Sequence, residues 1–235
     1  DQYGADAVRY WALSARLGTD TAFDEKVLKV GRRLVTKIFN AAKFVLGQTA
    51  GEGAISRELD RSFVARLRET VAGASEALDG LDYSTALDAT ERFFWQGFTD
   101  TYVEMVKARA RSESDLEGRA SAVATLRLGL KTFIRLFAPF LPYITEEVWS
   151  WSFAGDGKGA SVHCAPWPGE GDFAAVGSVA GDGAVFDAAV AFLEAVRKAK
   201  SAAGATVGRH MASLRVAAAP DTAALPGGRD GLLQA

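Results

Sequence analysis

Four stretches of about twenty residues carry apolar side chains at three- and four-residue steps, and this periodicity restricts the chain to helices packed on helices. The first runs from about Glu25 to Gly47, where the glycine and the following GQTAGEGA signal a stop and a loop. Val27, Val30, Leu34, Ile38, Ala41 and Val45 form its expected buried face. A second helix is predicted from an Asp60 N-cap to Leu78, closed by Asp79-Gly80. Ser84 is the expected cap of a third, whose stripe is Leu87, Phe94, Phe98, Thr101 or Tyr102, and Met105. This helix leads into the charged stretch from Lys107 to Gly118, read as a solvated loop or helix end. A fourth spans Arg119 to Phe137, with Leu126, Leu130, Phe133 and Phe137 inward and Arg127, Lys131 and Arg135 on another face. Pro139 and Pro142 then break the backbone ahead of a shorter helix, Tyr143 to Trp151. Short polar connections between long helices favour an antiparallel bundle.

The remaining third changes character. Glycine-rich loops fill 154–184, with Ser161-Val162-His163 read as a short strand. A last helix is predicted from Val185 to Ser201, and Leu214-Arg215-Val216 as another short strand. The fold expected is mainly α, an antiparallel helical bundle with a small α+β C-terminal subdomain.

Charge is distributed unevenly. The whole chain of 235 residues has a formal net charge of −2, which argues against a protein that coats DNA. Yet residues 26–43, KVLKVGRRLVTKIFNAAK, hold six positive side chains and no negative one. Lys29, Arg33 and Lys37 lie one turn apart, with Arg32 and Asn40 beside them. A helix apolar on one side and cationic on the other suits a polyanion; an ordinary solvated basic face is the alternative. No apolar run approaches a membrane span, and the opening DQYGADAVRYW has an acid where a cationic leader belongs, so a cytoplasmic protein is expected. The missing initiator methionine suggests a piece of a longer protein.

Chemistry-bearing constellations are absent. A single cysteine, Cys164, excludes an intrachain disulfide and a cysteine-rich zinc site, and His163 and His210 stand far apart. The glycines at 155, 157 and 159 lack the strand and helix of a dinucleotide site. Tyr102, Glu104 and Lys107 read as packing and surface residues rather than proton-transfer groups. No catalytic residue and no metal ligand is assigned.

Several segments in order resemble the C-terminal half of class I aminoacyl-tRNA synthetases, with the valyl-tRNA synthetases the nearest group. These are YGADAVRYWALSARLGTDTAFDE at 3–25, GRRLVTKIFNAAKFVLG at 31–47, LDYSTALDATERFFWQGFTDTYVEMVK at 81–107, LFAPFLPYITEEVW at 136–149 and SVHCAPWP at 161–168. The isoleucyl and leucyl groups share the architecture and are the nearest competitors. The resemblance implies a connector at 1–25, an anticodon-binding helical bundle at 26–153 and a small C-terminal α/β subdomain at 154–235. In the connector, Arg9 and Arg16 are candidates to reach RNA, and Asp6 and Asp24 are expected caps or internal pairs. The family's HIGH and KMSKS sequences and editing domain are absent, so the expectation is a non-catalytic module of an ATP-dependent valine–tRNA ligase. ATP and magnesium would be used by a catalytic domain outside this sequence, and no cofactor is expected within it.

The implied partners are valine tRNA, through its anticodon stem-loop, and the parent's own catalytic domain; neither membrane nor DNA is expected. The candidate RNA-binding residues are Lys29, Arg32, Arg33, Lys37, Asn40, Lys43 and Phe44. Phosphate contacts would position the RNA, while Arg33, Asn40 and Phe44 are candidates for reading bases. Two alternatives stay open: Asn40 holding helices together and Phe44 belonging to the core. A helical protein-interaction module that has lost RNA binding is the competing class.

Overall fold

The computed structural model describes residues 2–49, 53–155, 159–176, 183–206 and 208–209. The helices are α1 (Ala5–Ser14), α2 (Glu25–Leu46), α3 (Glu58–Asp79), α4 (Tyr83–Arg92), α5 (Val103–Val106), α6 (Leu116–Phe137), α7 (Pro142–Ser152) and α8 (Ala184–Ala202), with a π-helix, Phe93–Tyr102, joining α4 to α5. They form a helical bundle in which α6 is central, packing on α2, α3, α4 and α7. Its sequence explains that position, because Leu126, Leu130, Phe133, Ile134, Leu136 and Phe137 are all buried and cover more than one face.

The α4–π–α5 rod carries the expected stripe: Leu87, Phe94, Phe98, Tyr102 and Met105 are buried. Phe63 of α3 stacks on Tyr102 with ring centroids 4.1 Å apart, and Phe98, Phe133 and Phe186 extend the aromatic cluster. Gly97 belongs to this packing: a Cβ there would lie 2.4 Å from the Phe93 ring, which folds back over it. Phe186 draws α8 onto α3, so the final helix joins the same core.

Several local expectations change. The buried line of α2 is Leu28, Gly31, Leu34, Ile38, Ala42 and Val45, while Val30 is exposed, because α1 and α6 approach from a direction slightly rotated from the expected face. α3 starts two residues before Asp60, which is fully buried and caps nothing. Its carboxylate accepts from the Tyr102 hydroxyl (2.7 Å), the Ser121 hydroxyl (2.5 Å) and both terminal nitrogens of Arg109 (2.7 and 2.5 Å). Arg109 is therefore internal, although it lies in the stretch read as solvated.

α3 closes on Leu81 rather than on Gly80. Leu81 takes the left-handed φ of 58°, and the Asp82 amide reaches back to Ala77 O at 2.8 Å, the long bond of a Schellman stop. Asp82, two residues ahead of Ser84, caps α4 through the Thr85 amide, and the Ser84 hydroxyl donates to it. Asp24 caps α2 at the Lys26 amide, as expected of a cap or pair. Asp6 of α1 accepts from the amides of Tyr143 and Ile144 and so caps α7 from another element.

No strand occurs among the described residues. Residues 161–163, read as a strand, lie at a turn of 3-10 helix, Val162–Cys164, held by Glu146, which accepts from the Ser161 hydroxyl and the Val162 amide. The second expected strand, 214–216, and His210 lie outside the described residues. No helix among those residues is long and apolar enough to cross a membrane.

Candidate nucleic-acid interface

α2 forms because a capped start, a long apolar stripe and a Lys43 near its C-terminal end all favour one helix. Burying that stripe turns the opposite face outward. There a groove of about 550 Å³ is lined by Gln2, Tyr3, Lys29, Arg32, Arg33, Thr36, Lys37, Asn40 and Trp95. Five of the seven candidate residues share it, and no carboxylate is among its lining residues.

The cations there are held to different degrees. Arg33 is exposed and has no hydrogen-bonding or ionic partner among the described residues. Lys29 lies 3.6 Å from Glu25, one turn back, and both side chains are about half exposed. Arg32 donates to Gln2 O at 3.0 Å. Lys37 is the most constrained: its ammonium bonds Asp100 at 2.7 Å and sits 4.8 Å from the centre of the Trp95 ring. Asn40 is exposed on the groove and, among the described residues, makes no hydrogen bond that would tie it to a neighbouring helix.

Lys43 and Phe44 lie outside this groove. Lys43 sits 5.5 Å from the Phe39 ring, and Phe39 packs edge-on against Trp151 of α7. Phe44 is half-buried against the core, with the Arg111 guanidinium 5.4 Å from its ring. The core alternative for Phe44 is thus the geometry observed.

Trp95 lines the groove although it is not among the candidate residues drawn from the sequence. It is half-buried and packed against the core, and the Lys37 ammonium lies over its ring. Its indole N–H donates to Glu91 (3.3 Å), and the other Glu91 oxygen accepts from Tyr10 of α1 (2.6 Å). Burial raises the Glu91 carboxyl above its ordinary range, although both hydrogen bonds favour the charged form. One signal pointed to a divided role: Trp95 sits between stripe residues Phe94 and Phe98, out of phase with both.

Two members of the row Arg127, Lys131 and Arg135 meet other elements. Arg135 is buried, with both terminal nitrogens on Asp172 (3.1 and 2.7 Å), and Lys131 lies over Trp149. Residues after the proline break reach Arg135 and make that position an internal contact rather than part of a cationic surface. Arg9 similarly donates to the carbonyls of Pro139 and Phe140. Tyr102 is fully buried, and Glu104 pairs with Lys107 at the surface. Among the described residues, no cluster of His, Cys, Asp or Glu is placed to hold a metal ion.

A helical bundle presenting a cationic helix face is an architecture fitted to RNA, and residues 60–210 match the family model described as the anticodon-binding domain of tRNA ligase. The chain belongs to that family. Its relatives are particular in kind: it is 52% identical over 209 residues to the valine–tRNA ligase of Thermobifida fusca (strain YX), covering 86% of this chain and 23% of that protein. The valine–tRNA ligase of Anaplasma marginale (strain St. Maries) is 44% identical over 211 residues, covering 88% and 25%. The chain thus spans about a quarter of the length of the curated relatives it matches. A solved ternary complex of Agrobacterium radiobacter K84 agnB2 LeuRS with tRNA and LeuAMS matches at 20% identity and a TM-score of 0.49, covering 71% of this chain and 20% of that one. Trp95 and Asp100 fall within the family-matched residues, whereas α2 precedes them.

Proposed function

We propose that this chain is the anticodon-arm recognition module of a valine–tRNA ligase and that the α2 groove is where the anticodon loop docks. The parent enzyme would join valine to the tRNA end at a separate site using ATP and magnesium. The observation that carries the reading is the groove itself: four cationic side chains and an aromatic face on one helix-built surface, without a carboxylate in its lining. A single-stranded loop offers both phosphates and unstacked bases, which cations and aromatic planes engage together. Lys29 and Arg32 are assigned to phosphates, Arg33 and Asn40 to base edges, and Lys43 continues the cationic line past the groove.

Filter binding of a valine anticodon-arm hairpin tests this. R33A combined with K37A should weaken binding more than R57A combined with R61A. Arg57 is tied to Asp115 and Arg61 to Ile55 O, both away from the groove. Equal losses from the two pairs would count against the assignment. A helical protein-interaction module would show no binding of this hairpin at all.

A further inference from the structure

We propose that Trp95 is the stacking platform for one unpaired base of the bound loop, and that Lys37, held by Asp100, occupies that platform until RNA arrives. The inference rests on reading the α2 groove as an RNA-binding face and adds a residue and a switch to it.

Three observations converge on the indole. First, its orientation is set from behind. The N–H is anchored on Glu91, Glu91 is anchored on Tyr10, and the side chain packs against the core, so the ring that Lys37 covers is held in place beside the groove. A platform fixed in advance loses little freedom when a base stacks on it. Second, that groove is lined by cations and by Asn40, where a loop nucleotide held by its phosphate would project its base. Third, the face is already covered by a group that can leave: the Lys37 ammonium, 4.8 Å from the ring centre.

Lys37 has two attractions in the free protein, the ring quadrupole and Asp100. Asp100 is half exposed, and exposed ion pairs of this kind are weak. The Asp100 carbonyl accepts from Arg197 of α8 at 2.6 Å, and the Thr99 hydroxyl approaches the same carboxylate oxygen as Lys37 at 3.2 Å, so the acceptor is well positioned. A phosphate entering the groove competes with Asp100 for the ammonium. When Lys37 swings to the phosphate the ring is uncovered and a base takes its place, one cation–π contact exchanged for one base stack. Asp100 therefore acts as a brake, both holding Lys37 and repelling the incoming phosphate. An ion pair serving only stability would have the opposite mutational sign.

The test uses the chain with a fluorescently labelled valine anticodon-arm hairpin, and a set of the same hairpin with single abasic loop nucleotides. W95L fills the space without a π face and should bind about five- to a hundredfold more weakly, whereas W95F should retain most of the affinity. One abasic position should erase the difference between W95L and the parent, marking the stacked base. D100N should bind the intact hairpin several-fold more tightly. Binding by W95L equal to the parent, a W95L loss identical across every abasic hairpin, or weaker binding by D100N at an unchanged melting temperature would each overturn the proposal. R33A separates this from the underlying reading: if R33A loses affinity and W95L does not, the groove binds RNA without the platform. If R33A also binds normally, the groove reading itself fails.

Discussion

At Asp60, donors from the π-helix, the 109–111 turn and α6 converge on one fully buried carboxylate. Burial holds the Tyr102 hydroxyl far above its ordinary range, with the adjacent Asp60 charge adding to it. Arg109 keeps its charge despite burial because Asp60 answers it. Replacing one partner strands the other in a medium that cannot solvate it. D60A or R109A should therefore cost about 3–5 kcal/mol, read as a drop in the urea midpoint. A double D60A/R109A variant should cost less than the sum of the two.

Asp172 shows a weaker version of the same coupling. Burial pushes its carboxyl up, but Arg135 and the Gly169 amide outweigh this and hold it below the ordinary range. A carboxylate depressed by folding stabilises fully above the unfolded value, about 3.9, and loses that contribution as pH falls through the folded value. Thermal melts below about pH 4 should thus show an acid loss that is smaller in D172N. Glu91 runs the other way: its raised carboxyl favours the folded state at low pH and withdraws that contribution as pH rises through the folded value.

Between elements, α1 crosses α2 closely at Gly31. A Cβ on Gly31 would lie 2.9 Å from Tyr10 Cβ, an atom attached directly to the α1 backbone. G31A must therefore push α1 outward, at about 1–3 kcal/mol. Hydrogen exchange should then quicken in α1 amides before those of α6. The displacement also loosens Tyr10 from Glu91 and so the rear support of Trp95.

Helix positions were legible because apolar spacing and termination signals are local: Glu25–Leu46 and Pro142–Ser152 fall within a residue of their expected limits. Caps were legible only in part. Asp24 caps its own helix, whereas Asp6 caps one more than 130 residues further along the chain, a partnership no local pattern encodes. The π-helix was likewise hidden, since its apolar stripe differs little from an α-helical one over ten residues.

The molecule as a whole is slightly acidic, yet its α2 groove is lined with cations and no carboxylate. Long-range attraction to RNA is therefore small and contact charges dominate. If about five phosphates of a single-stranded loop are neutralised, log affinity should fall against log salt with a slope on the order of −3.5. A slope near zero in an anisotropy titration across salt concentrations would rule out phosphate docking on this scale. Because Lys37 is the phosphate contact of the R33A and K37A pair, the combined change should make the slope shallower by roughly 0.7.

Sequence alone determined the helical class, the existence of the long helices and the concentration of positive charge on α2, because periodicity and charge are carried by residues within a few turns of one another. It missed the starts of α3 at Glu58 and of α6 at Leu116, expected near Asp60 and at Arg119. Tertiary structure decided which cations remain available. Arg135 met Asp172 and Arg109 met Asp60 across distant segments, while Arg33 stayed exposed and Lys37 came to rest on Trp95. Whether a charge is neutralised depends on what lies within a few ångströms in space, and only the packed helices set that distance.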